Sequence, residues 1–288
     1  MRAAAILIAV AACAHPRPAP HHVQVPHVTA ADDEITVSWV GHATCLVGIR
    51  GHWFLTDPNF ADRIAGVVRR AVAPAISPRE LPPLDGILIS HSHFDHLDLD
   101  SLRSLHDAPL FVPPGVTAVL PGDLPQHDVV ALDTWQSWTR GDVTITAVPA
   151  SHGDTRYWFD LWHSHAHTGW MIQVADRTVY FAGDTGYVAS QSRELARRFR
   201  IDVGIIPVGP AGRAHWIERW RAAAHATPDA AMDLFRDTHA QWMVPIHYGT
   251  FFQPADYERP LVEAAVARHH AERWVKILDI GETASFLY

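Results

Sequence analysis

Apolar residues along this chain come in short β-branched runs broken by glycine, and that rhythm predicts strands before anything else. Ile35 to Val40, Cys45 to Ile49 and Trp53 to Leu55 are separated by Gly41 and Gly51, the pattern of a meander. Gly86 to Ser90 reads as a further strand that runs straight into His91. Val143 to Val148, Gly169 to Val174, Thr178 to Phe181, Val203 to Pro207 and Trp242 to Ile246 complete the set. Helical spacing lies between them. Asp98 to His106 has helix character, with Asp98 or Asp100 as its cap, and Ser192 to Arg200 is amphipathic. Thr227 to Thr238 carries the clearest signals: Thr227 caps, Pro228 takes the first turn and Asp229 favours the positive end. Strands first, helices interleaved later, and no solenoid repeat or internal linker predict one α/β sandwich domain over 34–288.

The N-terminus follows another pattern. Arg2 precedes an uninterrupted small and apolar run from Ala3 to Ala12. That run is too short for a bilayer span, which needs roughly 20 residues, but suits a secretory signal. It ends Val10-Ala11-Ala12-Cys13, which resembles a bacterial lipobox. The expectation is a signal over 1–12 and a lipidated Cys13; an ordinary signal peptide is the alternative. Ala14 after the cysteine would permit outer-membrane sorting, facing the periplasm of the bacterial cell envelope. Residues 13–33 are rich in Pro and His, including Pro16, Pro18, Pro20, Pro26, His21, His22 and His27, and read as an extended tether.

Composition narrows the chemistry. The chain has 288 residues, 48% of them hydrophobic, enough for a packed core. A net charge of -8 argues against a nucleic-acid partner, because phosphate affinity needs a Lys/Arg excess. Two cysteines make neither a disulfide framework nor a thiolate zinc finger, and Cys45, inside an apolar run, is expected as a buried thiol. The unusual count is 21 histidines, the commonest metal ligands.

Their placement is the strongest signal. His91-Ser92-His93-Phe94-Asp95-His96 follows the strand at Gly86 to Ser90. Alternate positions on extended backbone point the same way, so His91 and His93 can share one cation. The bend after Phe94 turns Asp95 and His96 towards a second position. Other ligand types also close strands: His152 after Val148, Asp184 after Phe181 between Gly183 and Gly186, and His247 after Ile246. Together they supply two mixed nitrogen and oxygen sites with a shared carboxylate.

This set resembles the metallo-β-lactamase superfamily, across nearly all of Ile35 to Tyr288. The resemblance implies an αββα sandwich with a two-metal site on one edge. It implies His91, His93 and His152 as ligands of the first metal, Asp95, His96 and His247 as ligands of the second, and Asp184 as the bridge. Two zinc ions are expected, with iron or manganese as alternatives. Gly41-His42-Ala43-Thr44, Thr56-Asp57-Pro58, Ala182 to Tyr187, Ile206 to Gly209 and His247 to Phe251 look like the N-acyl-phosphatidylethanolamine phospholipase D branch. So does His225, in a His-x-x-Pro element ahead of Thr227-Pro228-Asp229.

The branch implies a phosphodiesterase acting on a phospholipid-like substrate. Asp95 would orient the attacking water, Asp184 would hold the metals, and His225 would contact the scissile group. Two departures fall where substrate would be held: Gly153-Asp154 stands where the branch has Trp-Ser, and Arg213 to Trp220 fits its pattern poorly. A lactonase or other carboxyl-ester hydrolase, a β-lactam hydrolase and a metal-binding lipoprotein are the alternatives. Trp158, Phe159, Leu161, Trp162, Trp216 and Trp220 are either packing residues or an apolar rim for acyl chains.

Overall fold

A computed structural model describes residues 16–29, 33–122, 124, 127–152, 166–209, 225–251 and 255–288. Its strands are β1 (Glu34–Gly41), β2 (Thr44–Ile49), β3 (His52–Thr56), β4 (Arg63–Ile64), β5 (Val68–Arg69), β6 (Gly86–Leu88), β7 (Leu110–Val112) and β8 (Val129–Ala131), then β9 (Ser137–Arg140), β10 (Val143–Val148), β11 (Gly169–Val174), β12 (Arg177–Phe181), β13 (Val203–Pro207), β14 (Trp242–Ile246) and β15 (Thr283–Leu287). The helices are α1 (Leu99–Arg103), α2 (Ala189–Arg198), α3 (Pro228–Thr238) and α4 (Ala255–Arg268).

Two sheets carry the core. One runs β15-β1-β2-β3-β6-β7-β8 and the other β14-β13-β12-β11-β10-β9, with β4 and β5 forming a separate hairpin. Side chains of the two sheets meet: Phe111 of β7 lies against Trp138 of β9 and Trp170 of β11, and Phe286 of β15 against Trp242 of β14. β2, β12 and β13 are buried along their whole length, so both faces of those strands are covered. Hence their runs are apolar throughout rather than alternating. Helix α3 packs on β13 and between α2 and α4, which gives the outer layer of this αββα sandwich.

The central strands and α3 follow the hydrophobic pattern closely. Thr227 accepts from Ala230 N at 3.2 Å and Asp98 from Ser101 N at 2.7 Å, so both helices have their expected side-chain caps. Helix α1, however, ends at Arg103 rather than His106, and α2 starts at Ala189 rather than Ser192. Helix α4 and strands β7, β8, β9 and β15 carried no such signal. In α4 the pattern is hidden by Pro260 and by Glu258, a carboxylate on the buried face that accepts from Gly249 N at 2.6 Å.

The Pro/His-rich segment is described over 16–29. It is extended, but it lies against the domain. Arg17 pairs with Ala71 and Ala73, His21 N donates to Ile280 O and Val23 N donates to Ala75 O. Val23 and Val28 are buried, so apolar side chains as well as backbone bonds hold it there. The signal over 1–12 and Cys13 lie outside the described residues. Cys45 is buried in β2, and burial pushes its thiol pKa up, away from the reactive thiolate.

Candidate metal centre

Strand direction explains why distant residues meet. β12, β13 and β14 are parallel, so Asp184 after β12 and His247 after β14 emerge at the same edge. β10 is antiparallel to β11, which is antiparallel to β12, so β10 also runs their way and delivers His152 there. The other sheet is pinned to this edge by backbone bonds. Thr168 N donates to Ser90 O, Trp170 Nε1 to Ile89 O, and His247 N to His42 O. The residues after β6 and the turn after β1 are thereby drawn over the same spot.

His91, His93 and His152 form one group, with nitrogens of His91 and His93 2.9 Å apart and of His93 and His152 3.1 Å apart. Asp95, His96, His247 and His42 form the other. Asp184 stands between the groups. Its carboxylate lies 3.1 Å from His96, 3.2 Å from His247, 3.9 Å from His91 and 4.0 Å from His152. His225 reaches the same carboxylate at 3.3 Å and lies edge-on to His152. All seven residues read as ligands, and His225, therefore share one cluster.

The local backbone is built for this crowding. Gly183, just before Asp184, has φ +59°, and a Cβ there would sit 2.4 Å from Ser90 Cβ. Outer partners fix the imidazoles: Ser90 Oγ is 2.9 Å from His91 Nδ1, Asp57 Oδ2 is 2.7 Å from His96 Nδ1, and His247 Nδ1 donates to Gly209 O at 3.0 Å. Orienting the nitrogen that faces away leaves the other directed inward, as metal-binding histidines require.

The electrostatics suit cations. Burial alone would raise Asp184, but the neighbouring imidazoles, His247 and His96 foremost, hold its carboxyl well below the usual range. Asp95 is held low against burial by His96, by His247 and by its hydrogen bond with His42. Burial, with the charges of His96, His93 and His152, keeps His91 neutral and ready to donate a lone pair. His247 goes the other way, up to about 9: burial lowers it, but Asp184 and Asp95 together raise it by more. Both Asp184 oxygens are nevertheless buried without a hydrogen-bond partner. An ionised carboxylate so placed is costly unless something positive meets it. Imidazole nitrogens on either side of a shared carboxylate are a donor set that would suit divalent transition metals, held by the two histidine groups with Asp184 between them.

Three residues without an assigned role belong to the site. His42 faces Asp95 at 3.0 Å, Asp57 holds His96, and Asn59 Nδ2 donates to the carbonyls of Phe94 and Asp95 at 3.2 and 3.1 Å. His42 and Asp57 stood in recognisable stretches and each directly follows a strand, β1 and β3, but neither was placed in a ligand set. Gly153-Asp154, Arg213 to Trp220 and the tryptophan-rich stretches lie outside the described residues.

Residues 52–248 match the family described as the β-lactamase superfamily domain. An uncharacterised protein of Mycobacterium tuberculosis (strain ATCC 25618 / H37Rv) is 34% identical over 87% of this chain and 70% of its own length. N-acyl-phosphatidylethanolamine-hydrolyzing phospholipase D 1 of Caenorhabditis elegans is 29% identical over 83% of this chain and 74% of its own length. Among solved structures, a possible metal-dependent hydrolase of Veillonella parvula DSM 2008 superposes with a TM-score of 0.70. It is 20% identical and covers 86% of this chain and 98% of its own, a likeness of fold.

Proposed function

The chain belongs to the metallo-β-lactamase superfamily of metal-dependent hydrolases, and from that premise we propose that it is a phosphodiesterase acting on a phospholipid-like substrate. The observation that carries the metal-dependent part is the Asp184 carboxylate, buried without a hydrogen-bond partner between two histidine groups. Two bound divalent cations would lower the pKa of an attacking water and place positive charge opposite the phosphoryl oxygens. Asp184 keeps the two groups on one centre. Asp95, the more exposed of the two carboxylates, would accept a hydrogen bond from the attacking water and orient it for in-line attack.

The likeness to the phospholipase D relative supports phosphorus as the electrophile. His225 supports it too. It lies outside the seven ligands, is 23% exposed at the rim of the cluster, and is kept neutral chiefly by burial. A neutral imidazole there donates one N–H to a non-bridging phosphoryl oxygen, whose charge grows in the transition state. Purified protein should therefore hydrolyse bis(p-nitrophenyl) phosphate and vesicles of N-acyl-phosphatidylethanolamine, and lose both activities to a chelator. His225→Ala should retain two metal equivalents and lose roughly 10- to 1,000-fold in kcat/KM on phosphodiesters. Rapid hydrolysis of lactones, none of phosphodiesters and indifference to His225 would overturn the reading in favour of a carboxyl-ester hydrolase.

The same proposal anchors the chain at the bacterial envelope through a lipidated Cys13. No helix among the described residues is long and apolar enough to cross a membrane. Arg17 is already bonded to the domain, and the residues from Cys13 to it span at most about 14 Å. The anchor would thus hold the domain close to its lipid substrate. Cys13→Ser should shift the protein from the membrane fraction to the soluble one; unchanged fractionation of the variant counts against the anchor.

A further inference from the structure

His42 occupies the turn between β1 and β2, and its main chain is tied down at every point. Its N–H donates to Thr250 Oγ1 at 2.8 Å, and its carbonyl accepts from Trp39 Nε1 at 2.8 Å and His247 N at 3.0 Å. The backbone is left-handed, with φ +56°. The side chain is 2% exposed, with its ring 3.9 Å from that of His247 and edge-on to Phe251. Nε2 lies 3.0 Å from Asp95 Oδ2. A carboxylate oxygen accepts, so in this contact Nε2 is the donor and carries the proton.

That tautomer leaves Nδ1 as a bare lone pair, and this atom is buried with no hydrogen-bond partner. A side chain present only to fill space would not leave a polar atom stranded, since an apolar group of similar size packs without that penalty. The benefit must come from the other nitrogen. Asp95 needs it: His91, His96 and His247 have Ser90, Asp57 and Gly209 behind them, and for the Asp95 side chain the corresponding contact is His42. Its main chain is held separately by Asn59, which Arg70 grips through two contacts of 2.6 and 3.1 Å.

We propose that His42 is a positioning residue that donates to Asp95 and sets its carboxylate for the second cation, beside His96 and His247. The inference rests on the two-metal reading above and adds a residue to it. Outer partners of this kind alter metal affinity or activity by about 10- to 100-fold. They act on the ligand they touch, so the effect should fall on the second equivalent and spare the first.

Three substitutions separate the side-chain contact from the backbone turn. His42→Leu removes the donor. His42→Gln restores an N–H at a comparable reach. His42→Asn suits a left-handed backbone but is too short to touch Asp95. Metal-free full-length protein would be titrated with Zn2+ against a chromophoric chelator, with phosphodiester turnover and thermal unfolding measured on the same samples. Wild type should bind two equivalents. Leu and Asn variants should bind the first normally and the second about 10- to 100-fold more weakly, with a parallel loss of kcat/KM, and Gln should recover most of both. Wild-type affinity in the Leu variant overturns the proposal, as does wild-type behaviour of Asn, which would place the role in the turn. Gln no better than Leu overturns it in favour of direct ligation by His42. A wild-type chain that binds fewer than two equivalents overturns the two-metal reading itself, a result the variants cannot mimic.

Discussion

Two parts of this molecule are rich in histidine and have acidic neighbours, and they are built in opposite ways. At the strand ends, His91, His96 and His247 are nearly inaccessible to solvent, each is held by an outer partner, and a buried carboxylate lies between them. In the N-terminal segment, His21 is half exposed and lies 3.9 Å from both Asp279 and Glu282, and His22 pairs with Glu80 in solvent. Those carboxylates already have other work: Asp279 accepts from Arg259, and Glu282 accepts from Asp279 N at 2.7 Å. Both regions bring together three or more groups able to touch a cation. The difference is the cost of leaving them alone. Water satisfies the exposed set, while the buried set holds charge that solvent cannot reach. Ligand-type residues in proximity do not make a site; ligand atoms that lack any other partner do.

The comparison breaks most visibly at Asp184. Asp184→Asn preserves shape but removes the charge that both histidine groups share. Phosphodiester turnover should fall at least about a hundredfold, the scale for loss of a major electrostatic element, and bound metal should drop below two equivalents by elemental analysis. An Asn variant with near-normal turnover and full metal content would mean that the buried cluster is no more special than the exposed one.

The contrast also shows what a sequence discloses. His91, His93, Asp95, His96, His152, Asp184 and His247 are legible because each follows an apolar strand, and parallel strands carry their ends to one edge. That is a rule about backbone direction, so it can be read along the chain. His42 and Asp57 act through their contacts with Asp95 and His96, at 3.0 and 2.7 Å at the edge of one sheet, and no spacing along the chain encodes a contact of that kind. Strand β15 was hidden because it is an edge strand whose exposed positions dilute its hydrophobic pattern. The N-terminal segment was legible only in part. Its prolines and histidines report an extended backbone correctly, but composition cannot show that Val23 and Val28 find a surface to enter.

Within that segment the same contrast gives the smallest effects. Val23 is 2% exposed and its N–H donates to Ala75 O, in the stretch that also carries Arg70 and the Ala71 bond to Thr250. Val23→Ala removes buried methyl groups and should lower stability by about 1–3 kcal/mol, read as a shift in denaturant midpoint with unchanged slope. His21→Ala removes only a half-exposed imidazole from two weak ion pairs, so its effect should stay within about 0.5 kcal/mol. It should also leave the number of bound metals unchanged. If His21→Ala instead removes a metal equivalent, exposure does not separate the two histidine regions. If Val23→Ala is as neutral as His21→Ala, the docked segment contributes nothing to the fold and serves only as a tether.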